Sequence, residues 1–225
     1  MRCSDMLKCF IFAGLLLVFP HAAMADQIFN VTLNTMPLVG HPAGPFSVFL
    51  VFTDGDGIGD ANNTATISNI NFGGGSALGG PILFGGASGS LETGISITDS
   101  SFLSFFSEPF SPGSQLSFSL ALTTADDLGG TPDRLTFSIV YNFGSPIPTL
   151  APAGDFFLGA DLGSTGPIFD AYGSDPSRAP TDGNPVSISA PTITLVSPVP
   201  EPSSIVLLLT GGLVGGLTLY RRRRA

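Results

Sequence analysis

Through the middle of the chain, apolar and polar side chains alternate with a period of two in short runs. They are Ile28–Asn34 (IFNVTLN), Phe46–Thr53 (FSVFLVFT), Thr64–Phe72 (TATISNINF) and Gly94–Thr98 (GISIT), then Gln115–Leu122 (QLSFSLAL), Arg134–Tyr141 (RLTFSIVY) and Val186–Val196 (VSISAPTITLV). That period places alternate side chains on opposite faces of a strand, so each run predicts a strand with one buried face. Phe, Ile, Val, Thr and Ser dominate the runs, as strands favour, and clusters of Gly, Pro, Asn and Asp separate them. The stretches Phe72–Gly80, Gly144–Gly154 and Ser174–Pro185 are rich in Gly and Pro and short enough to be ordered loops. Outside two terminal apolar runs, no segment combines helical periodicity with helix caps. Many short strands at this spacing predict an all-β domain, an antiparallel β-sandwich or jelly roll. No repeat of fixed period is visible, which disfavours a propeller or a β-helix.

The N-terminal apolar run reads as a leader. Arg2 and Lys8 form a basic start, Cys9–Phe19 is uninterruptedly apolar, and Ala23-Met24-Ala25 supplies the small-x-small pattern a signal peptidase accepts. Cleavage is expected after Ala25, leaving Asp26 first. An apolar run of 11 residues is too short to span a bilayer. Signal peptidase and the Sec export machinery are the partners such a leader requires. Both cysteines, Cys3 and Cys9, lie inside it. The exported chain is therefore expected to have no disulfide, no thiolate metal site and no cysteine nucleophile. Its stability must come from its core, and the about 175 residues from Asp26 to Pro200 are enough for one domain.

Charge narrows the function further. Between Asp26 and Pro200 the only basic residues are Arg134 and Arg178, against 15 acids (the total of 17 less Asp5 and Glu201), a net charge of −13. Binding to nucleic acid needs phosphates neutralised by Lys and Arg, so that class is excluded. An acidic surface keeps a domain soluble and disposes it toward cations.

Candidate chemistry is sparse. His41 is the only histidine beyond the leader, and it stands in a Pro/Gly loop with no nucleophile elbow, so no hydrolase triad is expected. For a bound ion the best candidate is Thr53–Thr64 (TDGDGIGDANNT), in which Asp54, Asp56 and Asp60 offer hard oxygen ligands for Ca²⁺. The same Asp, Asn and Gly residues would build a polar turn unaided. Sugar faces are usually stacked by Trp or Tyr. Here there is no Trp, and only Tyr141 and Tyr172 lie in the exported part. The phenylalanines sit mostly at alternating strand positions and read as core.

After Val196 the composition changes. Ser197–Pro202 (SPVPEP) reads as a stiff spacer, and Ser203 to Tyr220 is a run of 18 uncharged residues, at the lower limit for a spanning helix. Tyr220 would lie at the interface, and Arg221, Arg222, Arg223 and Arg224 would stay cytoplasmic by the positive-inside rule. Pro200-Glu201-Pro202-Ser203, a single apolar span and an arginine cluster, in that order, resemble the PEP-CTERM sorting signal. The aspartate loop is similar to the calcium loops of thrombospondin type 3 repeats, though solitary and without their cysteine. The body looks like the Phe-, Gly- and Ser-rich domains found upstream of this signal, with NNTATISN at Asn62–Asn69.

The sorting resemblance implies export across the inner membrane of a Gram-negative bacterium as an anchored precursor. Exosortase then cuts near Pro-Glu-Pro and passes the protein to the cell surface or extracellular matrix. The organisation expected is a signal peptide over 1–25, a β-sandwich over 26–196 and the sorting signal over 197–225. The function expected is structural or adhesive, in association with exopolysaccharide, and not enzymatic. A calcium-dependent or glycan-binding module is the alternative, and a secreted glycan-active enzyme stands behind it.

Overall fold

In the computed structural model, residues 27–196 are described, except 126–129, 143, 164 and 180–182. The chain folds as β1 (Gln27–Leu33), β2 (Phe46–Thr53), β3 (Thr64–Asn71), β4 (Ser76–Ala77), β5 (Ile82–Phe84), β6 (Gly86–Ser90) and β7 (Gly94–Thr98). It continues as β8 (Leu103–Ser111), β9 (Leu116–Leu122), β10 (Asp133–Tyr141), β11 (Ser145–Pro146), β12 (Leu158–Leu162), β13 (Ile168–Ala171) and β14 (Thr192–Val196). Helix among the described residues is confined to one 3₁₀ turn, Met36–Leu38.

The strands form two antiparallel sheets. One has six strands in the order β14-β1-β9-β3-β7-β6, and the other has eight, built on the path β13-β12-β10-β2-β8-β4 with β11 and β5 alongside. The expected all-β, antiparallel architecture is what the structure shows. Alternation explains the layers. Strand β2 buries Phe46, Val48, Leu50 and Phe52, while β9 presents Leu116, Phe118, Leu120 and Leu122 to the same core. Phe118 meets Phe137 edge to face at 5.6 Å, the geometry that ring quadrupoles favour. Phe52, Phe106, Phe110, Phe137 and Phe157 are fully buried. Each contributes on the order of 2–3 kcal/mol by leaving water, which lets the fold do without disulfides.

Three segments differ from their sequence pattern. Strand β8 is absent from the alternating runs because its inward positions are Ser104, Phe106, Glu108 and Phe110, while Phe105 and Pro109 face outward. Strand β12 (LGADL) is nearly all buried and shows no alternation. The run Val186–Val196 is one stretch in sequence but two in space. Only Thr192–Val196 is a strand. Val186 and Ile188 are buried instead through Ser174, whose hydroxyl donates to the Val186 carbonyl at 2.7 Å and accepts from the Ile188 amide at 2.7 Å. Pro191 lies between the halves and has no amide to donate to a ladder.

The topology gathers specific connections at one end of the sandwich. Ile28 pairs with Val196 and Ala121, Ala65 with Leu122, and Thr64 with Thr98. In the other sheet Thr53 pairs with Arg134 and Leu103, and Asp161 with Ile168. The connections from β2 to β3, from β7 to β8 and from β9 to β10 therefore join the two sheets at the end where the described chain begins and finishes.

Candidate functional site

At this end, the loop after β2 is held by its own acids. Asp54 Oδ1 accepts the amides of Asp56 at 3.0 Å and Gly57 at 2.7 Å, and its Oδ2 accepts that of Gly59. Asp56 accepts the Ile58 amide at 3.0 Å, and Asp60 accepts the Asn62 amide and side chain at 3.2 and 2.8 Å. Gly57 and Gly59, at φ of 80° and 68°, supply the left-handed turns that bring these amides round. Gly55 is needed for a different reason: a Cβ there would lie 2.2 Å from the Thr131 carbonyl oxygen. The carboxylates expected as Ca²⁺ ligands, Asp54, Asp56 and Asp60, thus bind the loop's own N–H groups. Among the described residues, no group of three or more His, Cys, Asp or Glu stands where it would hold a metal ion.

Behind the loop lies a buried network that sequence patterning missed. Asn63, Asp99 and Asp133 are all fully buried. The Asn63 amide donates to Asp99 Oδ2 at 3.1 Å, and its Nδ2 donates to Asp133 Oδ2 at 2.8 Å. Asn63 Oδ1 accepts the Ala125 amide at 2.7 Å, and Asp133 Oδ1 accepts the Gly55 amide at 2.7 Å. One asparagine therefore ties together loops 54–63 and 123–132, the end of β7 and the start of β10. The available signal was positional: each of the three sits beside an alternating run, where a side chain caps the end of the core.

Electrostatics separates the two acids. Burial pushes Asp54 up, yet the hydrogen bonds from Gly57, Gly59 and Asp56 outweigh it and hold its carboxyl below the usual carboxylate range. For Asp99 burial wins. Bonds with Asp133 and the Asn63 amide offset it only in part, Asp60 adds repulsion, and the carboxyl is pushed up. The described residues contain two arginines, and both pair with other acids. Arg134 pairs with Asp161 and, at 3.2 Å, with Asp170; Arg178 pairs with Asp155 at 2.6 Å and Asp175 at 3.0 Å.

The outer face of the eight-stranded sheet carries a groove of about 300 Å³. Phe49, Val51 and Thr136 form part of its floor, and Arg134, Asp155 and Phe156 rise at its side. The Arg134 guanidinium lies 5.2 Å from the Phe156 ring centre, and Phe156 meets Tyr172 edge to face at 5.5 Å. Asp155 is fixed by the Thr149 amide at 2.8 Å and by Arg178. Beside the groove, Phe49, Phe105 and Phe84 form an outward aromatic row, with centroids 6.0 and 5.2 Å apart. These outward phenylalanines depart from the reading of the phenylalanines as core. His41 lies away from this groove in the loop after β1, where its Nδ1 accepts the Ala43 amide at 3.1 Å and its ring tilts on Phe46.

The last described strand, β14, leads directly into the remainder of the chain, and residues 198–224 match the PEP-CTERM protein-sorting motif. The chain carries a PEP-CTERM sorting signal. No curated protein and no solved structure matches the chain. The signal implies an exported protein, a membrane-anchored precursor and exosortase as its processing partner. Pro200, Glu201, Pro202, Ser203, Tyr220 and Arg221 to Arg224 all fall within the matched stretch and outside the described residues. Ala23, Ala25 and Asp26, expected at the leader's cleavage site, are also outside them.

Proposed function

We propose that this exosortase-sorted protein is a structural or adhesive component of a Gram-negative cell surface or extracellular matrix. In this reading it has no catalytic activity and binds exopolysaccharide through the outer face of its eight-stranded sheet. The leader is removed after Ala25, and residues 203–220 form a transient span with Arg221 to Arg224 on the cytoplasmic side.

The groove is the observation that carries the reading. A sugar ring presents an apolar C–H face and an edge of hydroxyls. Phe49 and Val51 offer an apolar floor, while Arg134, held by Asp161, and Asp155, held by the Thr149 amide and Arg178, offer a donor and an acceptor. At about 300 Å³ the groove is at the small end of ligand sites and fits one or two sugar units. It is shallow and lies along a sheet, as binding to a polymer chain requires.

Co-sedimentation of the processed protein with the exopolysaccharide of its own host tests this. Phe49→Ala and the groove-filling Thr136→Arg should each weaken retention roughly tenfold, a loss of about 1.4 kcal/mol, while leaving the melting temperature close to wild type. Retention that is absent in the wild type, or unchanged in both variants, overturns the proposal.

A further inference from the structure

The chain leaves the sandwich at the end that holds the aspartate loop, and the apolar residues exposed there are placed to meet a bilayer. Ile58 is 70 % exposed and Phe102 62 % exposed. Their loops touch: a Cβ on Gly57 would lie 3.7 Å from the Phe102 ring, and one on Gly59 would lie 3.0 Å from the Ser100 carbonyl oxygen. Ile168, at the start of β13, is 66 % exposed at the same end. Exposed apolar residues occur at the opposite end too, where Met36 and Val39 flank one turn and Leu150 sits on another loop. The terminal end differs because the chain leaves the sandwich there, beside β1, through β14.

Tether length decides which surface they meet. Six residues, 197–202, separate Val196 from the apolar run that begins at Ser203, and three of the six are proline. At about 3.1 Å per residue, an extended spacer of this kind reaches roughly 20 Å. The exit strand β14 is four strand spacings from β7, which is also about 19 Å at 4.8 Å per strand. A precursor anchored by its tail therefore holds this end face within one tether length of the lipid. A modest tilt brings Ile58 and Phe102 to the headgroup layer.

We propose that, while the tail is still attached, the end of the sandwich bearing Ile58, Phe102 and Ile168 docks on the lipid surface and presents the 197–202 spacer to exosortase at a fixed height. The inference rests on the anchored-precursor reading. Docking supplies orientation. Apolar tips at the interface remove the domain's freedom to swing, so the spacer lies in the plane where a membrane protease works. Asp56 and Asp60 flank Ile58 in the loop, and their negative charge disfavours strongly anionic lipid.

Labelling single cysteines on the full-length chain in membranes from cells lacking exosortase tests this, with Cys3 and Cys9 replaced by serine. Ile58→Cys and Phe102→Cys should react several-fold more slowly with a membrane-impermeant maleimide than Leu150→Cys at the opposite end. The three should react alike in the processed protein released from wild-type cells. Equal rates in the anchored precursor overturn the docking proposal. Protection that arises only when exosortase is present assigns the face to the enzyme and likewise overturns lipid docking. A precursor missing from the membrane fraction overturns the anchor itself, an outcome that fractionation reveals before any labelling.

Discussion

The Asp54–Asn63 loop and the network behind it bury acids at the same end of the sandwich but treat their charge in opposite ways. Asp54 is 2 % exposed and Asp99 is 0 % exposed, so burial alone predicts that both resist ionisation. The difference lies in the donors and in the depth of each site. Asp54 accepts three backbone amides in a loop whose glycines turn them inward, whereas Asp99 accepts the Asn63 amide and shares its buried site with the acid Asp133. Three amide donors in a loop near the surface favour the Asp54 carboxylate, whereas Asp99 is set deeper and its donors do not offset that depth. Donors and depth together set the charge.

Asn63 joins the two regions, so removing it should have the largest effect. Asn63→Leu keeps the volume but leaves Asp133 Oδ2 and the Ala125 amide without the partners they have now. A buried polar group left unsatisfied costs about 1–3 kcal/mol, and more when it is charged. A loss of roughly 3–5 kcal/mol is expected, read as a lower midpoint in urea unfolding of the exported protein. A loss under about 1 kcal/mol would show that the two regions are held independently.

Asp54→Asn should come next. An asparagine still accepts with Oδ1, but its Nδ2 faces the Gly59 amide that Oδ2 accepts. A loss of about 2 kcal/mol is expected at neutral pH, in the range of hydrogen bonds to a charged group. The pH profile carries the sharper test. Because the folded carboxyl is held below its unfolded value, its contribution is complete above the unfolded carboxyl range and is lost as pH falls through the lowered value. The difference between wild type and variant should therefore close on acidification. A difference that stays constant to the acid end would mean that shape, not charge, holds the loop.

The two regions were unequally legible in the sequence. Period-two alternation revealed the fold class and the positions of β1, β2, β3, β7, β9 and β10, because one face of each is buried and the other wet. It missed β8, where Ser104 and Glu108 face inward among phenylalanines, and β12, where both faces are covered. The aspartate loop was visible because its acids are clustered along the chain. The network was not, since Asn63, Asp99 and Asp133 are up to 70 positions apart and only sheet order brings them together. The groove was hidden for a related reason: outward Phe49 and Phe105 are indistinguishable by type from the phenylalanines of the core. The sorting signal was fully legible because it is a linear address.

Asp99 offers the smallest effect and the most discriminating one, because its sign opposes that of Asp54. Its folded carboxyl lies above the unfolded value through burial. The contribution is therefore complete below the unfolded carboxyl range and is lost as pH rises through the raised value. Wild type carries this loss at neutral pH, and Asp99→Asn should not, since an amide oxygen can still accept from the Asn63 N–H without a charge to desolvate. The variant should match wild type at the acid end and exceed it at neutral pH, a gain on the order of 1 kcal/mol measured by urea unfolding across pH. Glu108 makes the comparison internal to the protein. It is likewise buried, accepts one amide, that of Leu91 at 2.7 Å, and is pushed up by burial and then by Glu92. If one amide is too few to hold a buried carboxylate, Glu108→Gln should show the same sign as Asp99→Asn and the opposite of Asp54→Asn. A loss of stability at neutral pH in either Asp99→Asn or Glu108→Gln would show that burial does not hold that carboxyl above its ordinary range.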